Sequence, residues 1–222
     1  MTQLKRLLIP LVLLTSCATQ EPSGLTATLT SSTDVTLSWR PTPDAAGQAV
    51  EYAHDPNGDY TVLQFASPDT NTYTHPDLIP QTPFYYRIRP YYGPASAEED
   101  VTLPPGDEVS TEDGHEWAAP QKGNTGTHPA RSPAAKPTNF TATVKHANGI
   151  LFTWTDNAQG EHGYLLEVRP HNTHTFQVAA ALDPDTHSFG LITLPTEKTA
   201  TYRVRPYTYG EPTNTAHQRT GG

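Results

Sequence analysis

The sequence predicts an all-β protein, built as two tandem antiparallel β-sandwiches joined by a flexible linker. Three observations carry that reading. Short apolar/polar alternations recur along the chain, helical periodicity is not sustained anywhere beyond the first 17 residues, and the whole strand pattern occurs twice. Val35-Thr36-Leu37-Ser38-Trp39 sets Val35, Leu37 and Trp39 on one strand face, and Ile150-Leu151-Phe152-Thr153-Trp154 does the same with Ile150, Phe152 and Trp154. Tyr86-Arg87-Ile88-Arg89-Pro90-Tyr91 is matched by Tyr202-Arg203-Val204-Arg205-Pro206-Tyr207. Trp39 and Trp154 stand 115 positions apart; Tyr86 and Tyr202, like Leu78 and Leu194, stand 116 apart.

Composition agrees with thin-cored sandwiches. Of 222 residues 35% are hydrophobic, and 22 prolines and 15 glycines favour many turns over long helices. The net charge of −9 leaves no basic face for phosphates, so no nucleic-acid partner is expected.

Taken in order, the first repeat spans residues 21–104, with strands expected over 25–31, 34–40, 49–54, 60–66, 71–75, 84–92 and 98–103. Asp55-Pro56-Asn57-Gly58 reads as a turn, because Asn and Gly tolerate positive φ at low cost. Residues 105–135 lack periodicity and are rich in Pro, Gly, Ser and Thr, which predicts a mobile linker. The second repeat spans 136–222, with strands over 141–146, 150–155, 164–169, 175–180, 186–189, 201–209 and 213–219. Alternation points Val35, Leu37, Trp39, Phe84, Tyr86 and Ile88 inward in the first repeat. Ile150, Phe152, Trp154, Tyr202 and Val204, with Leu165 or Leu166, fill the second.

The N-terminus reads as an address. Lys5 and Arg6 precede an apolar run from Leu7 to Leu14, too short for a spanning helix, which needs about 20 apolar residues. Residues 1–16 are thus a signal peptide. Leu14-Thr15-Ser16-Cys17 resembles a bacterial lipobox, and Cys17 is the only cysteine in the chain. The resemblance implies lipidation at Cys17, residues 17–20 as a tether, and location at the cell envelope, on the outer membrane if the host has two. Ala18 after the cysteine resembles an outer-membrane sorting signal. Two or three acyl chains anchor stably, where a single chain is marginal.

A second resemblance covers both repeats. Trp39 in Leu-Ser-Trp, and Leu78-Ile79-Pro80-Gln81-Thr82 leading into Phe84-Tyr85-Tyr86-Arg87-Ile88, resemble the second and sixth strands of a fibronectin type III domain. Trp154-Thr155-Asp156-Asn157, followed by Glu161-His162-Gly163-Tyr164, is similar to bacterial members of that family. The family's tyrosine corner is where the chain departs: Phe84 stands six residues after Leu78, and Ala200 six after Leu194. Either the corner hydrogen bond is lost or the register is shifted. The resemblance implies a non-catalytic lipoprotein that displays its modules to a protein or polysaccharide. A spacer or assembly subunit of an envelope complex is the alternative, with an accessory polysaccharide-degrading enzyme behind both.

Chemistry-bearing motifs are few. No nucleophile elbow, His-Glu-x-x-His helix or phosphate loop occurs, and no enzyme activity and no cofactor are expected. His171 and His174 fall in an expected hairpin turn, and His162 and His187 lie in the same repeat. Nothing in sequence gives them a third zinc ligand. Asp183-Pro184-Asp185 and Asp156-Asn157 lack the dense oxygen spacing of calcium loops, so no metal site is expected. The aromatic residues Tyr85, Tyr91 and Tyr92 are the candidate binding surface, against the plainer reading that cross-strand Tyr and Arg pairs only stabilise the sheet. Trp117 joins them, either docked on a domain, bound to a ligand or loosely packed in the linker. Arg87, Arg89, Arg203 and Arg205 are expected to cover apolar surface and pair with Glu. Glu98-Glu99-Asp100 is expected to guard an edge strand. The sequence sets no oligomeric state.

Overall fold

The alternating runs form strands where expected. In the computed structural model, which describes residues 24–106, 116–123, 126–194 and 197–221, the first six are β1 (Thr26–Leu29), β2 (Val35–Ser38), β3 (Gly47–Ala53), β4 (Thr61–Ala66), β5 (Thr72–His75) and β6 (Pro83–Tyr92). Next come β7 (Glu99–Thr102), β8 (Gln121–Lys122) and β9 (His128–Pro129). The second repeat supplies β10 (Thr138–His146), β11 (Gly149–Thr155), β12 (Ala158–Gln159), β13 (Gly163–Pro170), β14 (Gln177–Leu182), β15 (Thr186–Ile192), β16 (Thr199–Tyr209) and β17 (Ala216–Arg219). The expected signal peptide and Cys17 lie outside the described residues.

Each half is a sandwich. β1-β2-β5 faces the β4-β3-β6 layer in the first, and β10-β11-β15 faces β14-β13-β16 in the second. All the inward residues named above are buried. Val35, Leu37, Trp39, Phe84, Tyr86 and Ile88 share one core, while Ile150, Phe152, Trp154, Leu166, Tyr202 and Val204 share another. The fold is the all-β pair of antiparallel sandwiches that the alternation and repeats predict.

The seventh strands depart from the sequence reading, because they are exchanged. β7, which follows the first repeat in sequence, pairs antiparallel with β16 of the second, Ala200 opposite Val101 and Tyr202 opposite Glu99. β17, at the chain's end, pairs with β6 of the first, Ala216 opposite Tyr86 and Gln218 opposite Phe84. The cores record the same exchange: Val101 and Leu103 sit among the second half's buried residues, and Ala216 among the first's.

The crossing has a local cause. Gly93 adopts φ 151°, and a Cβ there would lie 1.9 Å from the Pro206 carbonyl oxygen, so only glycine lets the chain pass β16 this closely. Pro94 follows, without an N–H to start a hairpin back along β6. Ser96 then binds β16 in both directions, its N–H donating to Val204 O (2.8 Å) and its Oγ accepting from Val204 N (3.0 Å). Thr213 repeats that clasp on the first half, its N–H donating to Ile88 O (2.8 Å) and its Oγ1 accepting from Ile88 N (3.0 Å).

The halves also join directly. The ends of β6 and β16 pair, Tyr92 opposite Thr208 and Tyr91 opposite Tyr209, which merges the two larger layers into one sheet. Tyr91, Leu165 and Tyr207 form a third apolar cluster where the halves meet, with Phe65, Val178 and Tyr209 packed on it.

The segment 105–135 also differs from the mobile linker expected. Among its described residues, β8 adds to β15, β9 pairs in parallel with β12, and two 3-10 turns, Glu116–Ala118 and Pro133–Ala135, complete it. Adding a strand to a sheet edge uses backbone hydrogen bonds alone, so side-chain alternation carries no signal for it.

Candidate functional site

The predicted aromatic surface does not assemble. Tyr91 is 2% exposed and belongs to the cluster between the halves, with Phe65 at 5.6 Å and Tyr207 at 6.2 Å between ring centroids. Burial pushes its hydroxyl pKa up, and the carboxylate of Glu167, from the other half, adds to that rise. Tyr91 points away from the face of β6 that carries Tyr86 into the core, and the second half covers that outer face here. Tyr92 lies under the Arg131 guanidinium, 4.3 Å from its ring centre. Tyr85 stacks on His217 of β17 at 4.6 Å. Trp117 docks on the second sandwich: its ring edge occupies the space a side chain on Gly190 would need, and His146 meets it edge-on at 5.5 Å. All four residues are engaged in packing.

The arginines behave as expected and do so symmetrically. Glu51, 3% exposed, holds Arg87 (2.5 Å) and lies 3.6 Å from Arg89. Glu167, also 3% exposed, holds Arg203 and, at 3.1 Å, Arg205. Tyr60 covers Arg87, Phe176 covers Arg203, and Tyr209 covers Arg89. Such buried anions are tolerable only because each has two guanidinium partners.

Several grooves remain open among the described residues. One, of about 630 Å³, runs between β4 and β14 and is lined by Val62, Phe65, Phe176 and Val178 among others. Another, of about 590 Å³, lies on the second half between Val168, Leu191, Ile192 and Tyr202. Ile192 and the nearby Leu194 are 41% and 63% exposed.

At one end of the second sandwich the structure gathers carboxylates that the sequence keeps apart. Asp156 follows β11, Glu161 precedes β13, and Asp185 lies between β14 and β15; an oxygen from each lies within 4.8 Å of the others. Asp156 is 1% exposed and Glu161 8%. The Ala158 N–H (2.8 Å) and the Tyr164 hydroxyl donate to Asp156 Oδ1, and the Asp185 N–H donates to Glu161 Oε1 (3.0 Å). Burial raises the Asp156 pKa; the Tyr164 and Ala158 hydrogen bonds oppose that rise, while Glu161 and Asp185 add to it. Asp156 and Asp185 stand among the metal candidates read from sequence; Glu161 does not. Aligning the two repeats flags it, since the first repeat has Ala45 at the matching position. None of the described histidines joins this group: His171 flanks an exposed turn with Asn172 at φ 67°, and His162 packs on Tyr207 and Tyr209.

No family model matches the chain, and no curated protein matches it. Among solved structures, it is similar to an Fn3-like protein from Clostridium thermocellum, with 27% identity over 31% of this chain and 72% of that one (TM-score 0.29). It is also similar to the FN1-FN3 domains of chicken CNTN1, with 16% identity over 91% of this chain and 66% of that one (TM-score 0.29). A two-domain fibronectin type III segment of chicken tenascin matches at 16% identity over 90% of this chain and 99% of that one (TM-score 0.29). Strand order and core composition, rather than these superpositions, carry the description of the fold given above.

Proposed function

We propose that this chain is a non-catalytic, lipid-anchored lipoprotein of the cell envelope that presents a two-sandwich body for protein or polysaccharide binding. The observation that supports it best is the exchange of β7 and β17, which locks the two halves in one orientation. A body of fixed shape presents a surface at low entropic cost on binding. The groove between β4 and β14 is the binding surface in this reading, in place of the tyrosines that packing consumes. The lipobox-like Leu14-Thr15-Ser16-Cys17 supports the anchor.

The same rigid body favours a second reading, a spacer or assembly subunit of an envelope complex. Pull-down and glycan-array binding with residues 21–222 separates the two. Ligand capture weakened by Phe65→Asp or Phe176→Asp supports display through the groove; capture indifferent to both would remove the groove from the proposal. For the anchor, Cys17→Ala should move the protein out of the membrane fraction, and unchanged partitioning would refute it. Hydrolysis of any polysaccharide that one carboxylate substitution abolishes would replace the non-catalytic reading.

A further inference from the structure

We propose that Asp156, Glu161 and Asp185 form a Ca²⁺ site at the loop end of the second sandwich. This inference is independent of the anchor and of the groove.

Two observations combine. The first is the convergence of three carboxylates within 4.8 Å, of which two are buried. The second concerns Glu161 alone. It is 8% exposed, its Oε1 is held by the Asp185 N–H, and its Oε2 is shielded from solvent with no hydrogen-bond donor among the described residues. A buried carboxylate oxygen without a donor is costly, and neighbouring anions raise that cost. No described Lys or Arg pairs with Glu161 or Asp185; Lys122, on the adjacent β8, is taken by Asp183 at 2.6 Å.

The first half shows that the sandwich does not need this arrangement. Constant spacing aligns Gln48 with Tyr164, Ala45 with Glu161 and Asp69 with Asp185, and Pro41, like Asp156, stands two residues after the strand tryptophan. One carboxylate replaces three. There the loop end closes through neutral groups: Gln48 Nε2 donates to Pro68 O (3.2 Å) and Thr70 O (3.3 Å). A sandwich of this kind thus closes that end without the additional carboxylates of the second half.

The donor set selects the ion. Three hard oxygens with no nitrogen or sulfur suit Ca²⁺ or Mg²⁺ over zinc. Ca²⁺ accepts irregular shells of oxygens at about 2.3–2.6 Å, and the 4.8 Å limit on the three carboxylate oxygens admits it. Mg²⁺, at about 2.0–2.1 Å, draws them to about 4 Å. Ca²⁺ takes 6–8 oxygens, so carbonyls and water complete the shell. Gly160, at φ 73° beside Glu161, has open space where a side chain would sit and leaves room for them.

The test uses the full chain, stripped with EDTA and titrated calorimetrically with CaCl₂, alongside thermal melts in EDTA and in Ca²⁺. One saturable site is expected, with Kd in the 10⁻⁴–10⁻³ M range of extracellular modules, and a melting temperature that rises with Ca²⁺. Glu161→Gln should weaken binding at least tenfold and raise the melting temperature in EDTA, where it removes repulsion. Asp69→Asn, at the matching position of the first half, should leave binding unchanged. If Glu161→Gln does not fold, Asp185→Asn at a half-buried position reads the same loss. The absence of both heat and melting shift at millimolar Ca²⁺ overturns the site and leaves a shared proton as what neutralises the cluster. Ca²⁺ affinity in Glu161→Gln and Asp185→Asn equal to that of the parent chain overturns it too.

Discussion

The two sandwiches use the same faces of the same strands, but they close their ends with different chemistry. In the first, the buried Gln48 amide ties a loop by neutral hydrogen bonds, and Leu78 plugs the core at 7% exposure. In the second, Tyr164 replaces the glutamine and donates to Asp156, one of three gathered carboxylates, and Leu194, the counterpart of Leu78, stands 63% exposed. Strand faces are tied to a shared core and cannot drift independently. Loop ends face solvent, so each repeat could specialise there without disturbing the layers. The exchanged strands add a second lesson: neither half is complete without the other's segment of chain.

Removing β17 tests that dependence most severely. Truncation after Tyr209 should unfold the first half, although the deleted strand adjoins the second in sequence. A small domain's whole stability, on the order of 5–15 kcal/mol, is at stake. Hydrogen exchange would show protection lost over β2, β3 and β6 and retained over β11 and β13; the reverse pattern would mean that the strands are not exchanged. Residues 21–104 alone should likewise lack a cooperative melt.

The strand tryptophans come next. Trp39→Ala and Trp154→Ala should each cost about 3–5 kcal/mol, since both indoles are 5% exposed within their cores. If exchange makes one cooperative body, chemical denaturation of either variant stays a single transition. Two transitions, one shifted and one not, would show halves that fold independently.

The buried glutamates sharpen the contrast further. Glu167→Gln should cost about 3 kcal/mol, because it leaves Arg203 and Arg205 facing each other where Arg205 is only 10% exposed. Glu51→Gln should cost less, since Arg87 and Arg89 are both more than 20% exposed and keep some hydration. Denaturation midpoints of the two variants decide the order.

The smallest effect is specific to the first half. His75 lies among Tyr52, Tyr73, Phe84 and Tyr86, with Nδ1 3.2 Å from the Tyr86 hydroxyl. Burial, followed by the charge of His54, lowers its pKa below the ordinary 6.5. The unfolded chain then binds more protons than the folded one just below pH 6.5, so the contribution is present above that pH and lost as pH falls. Stability of the parent should decline more steeply below pH 6.5 than that of His75→Asn. Parallel pH curves would exclude the effect.

Much of this was legible from residues alone. Every core residue expected from the Val35–Trp39 and Ile150–Trp154 alternations is buried, because a strand's two-residue period leaves no other face for them. The arginine–glutamate pairing was legible for the same reason. Tyr91 shows where such reading stops. Alternation set it opposite Tyr86, yet nothing local says that another sandwich covers that outer face. Asp156 and Asp185 could be weighed for calcium from sequence, but their meeting with Glu161 was out of reach, since the three come from loops brought together by strand order.

The sequence by itself determined two sandwich layers per repeat, the residues that fill them and the acidic, turn-rich surface around them. These follow from periodicity and side-chain polarity, which act over a few neighbouring residues. Only the tertiary structure decided which half receives β7 and which receives β17, and with them the joint between the halves. Both are short strands held largely through backbone hydrogen bonds, which any sequence can form. The path of the chain past Gly93, where only glycine fits against Pro206, selects the partner of β7.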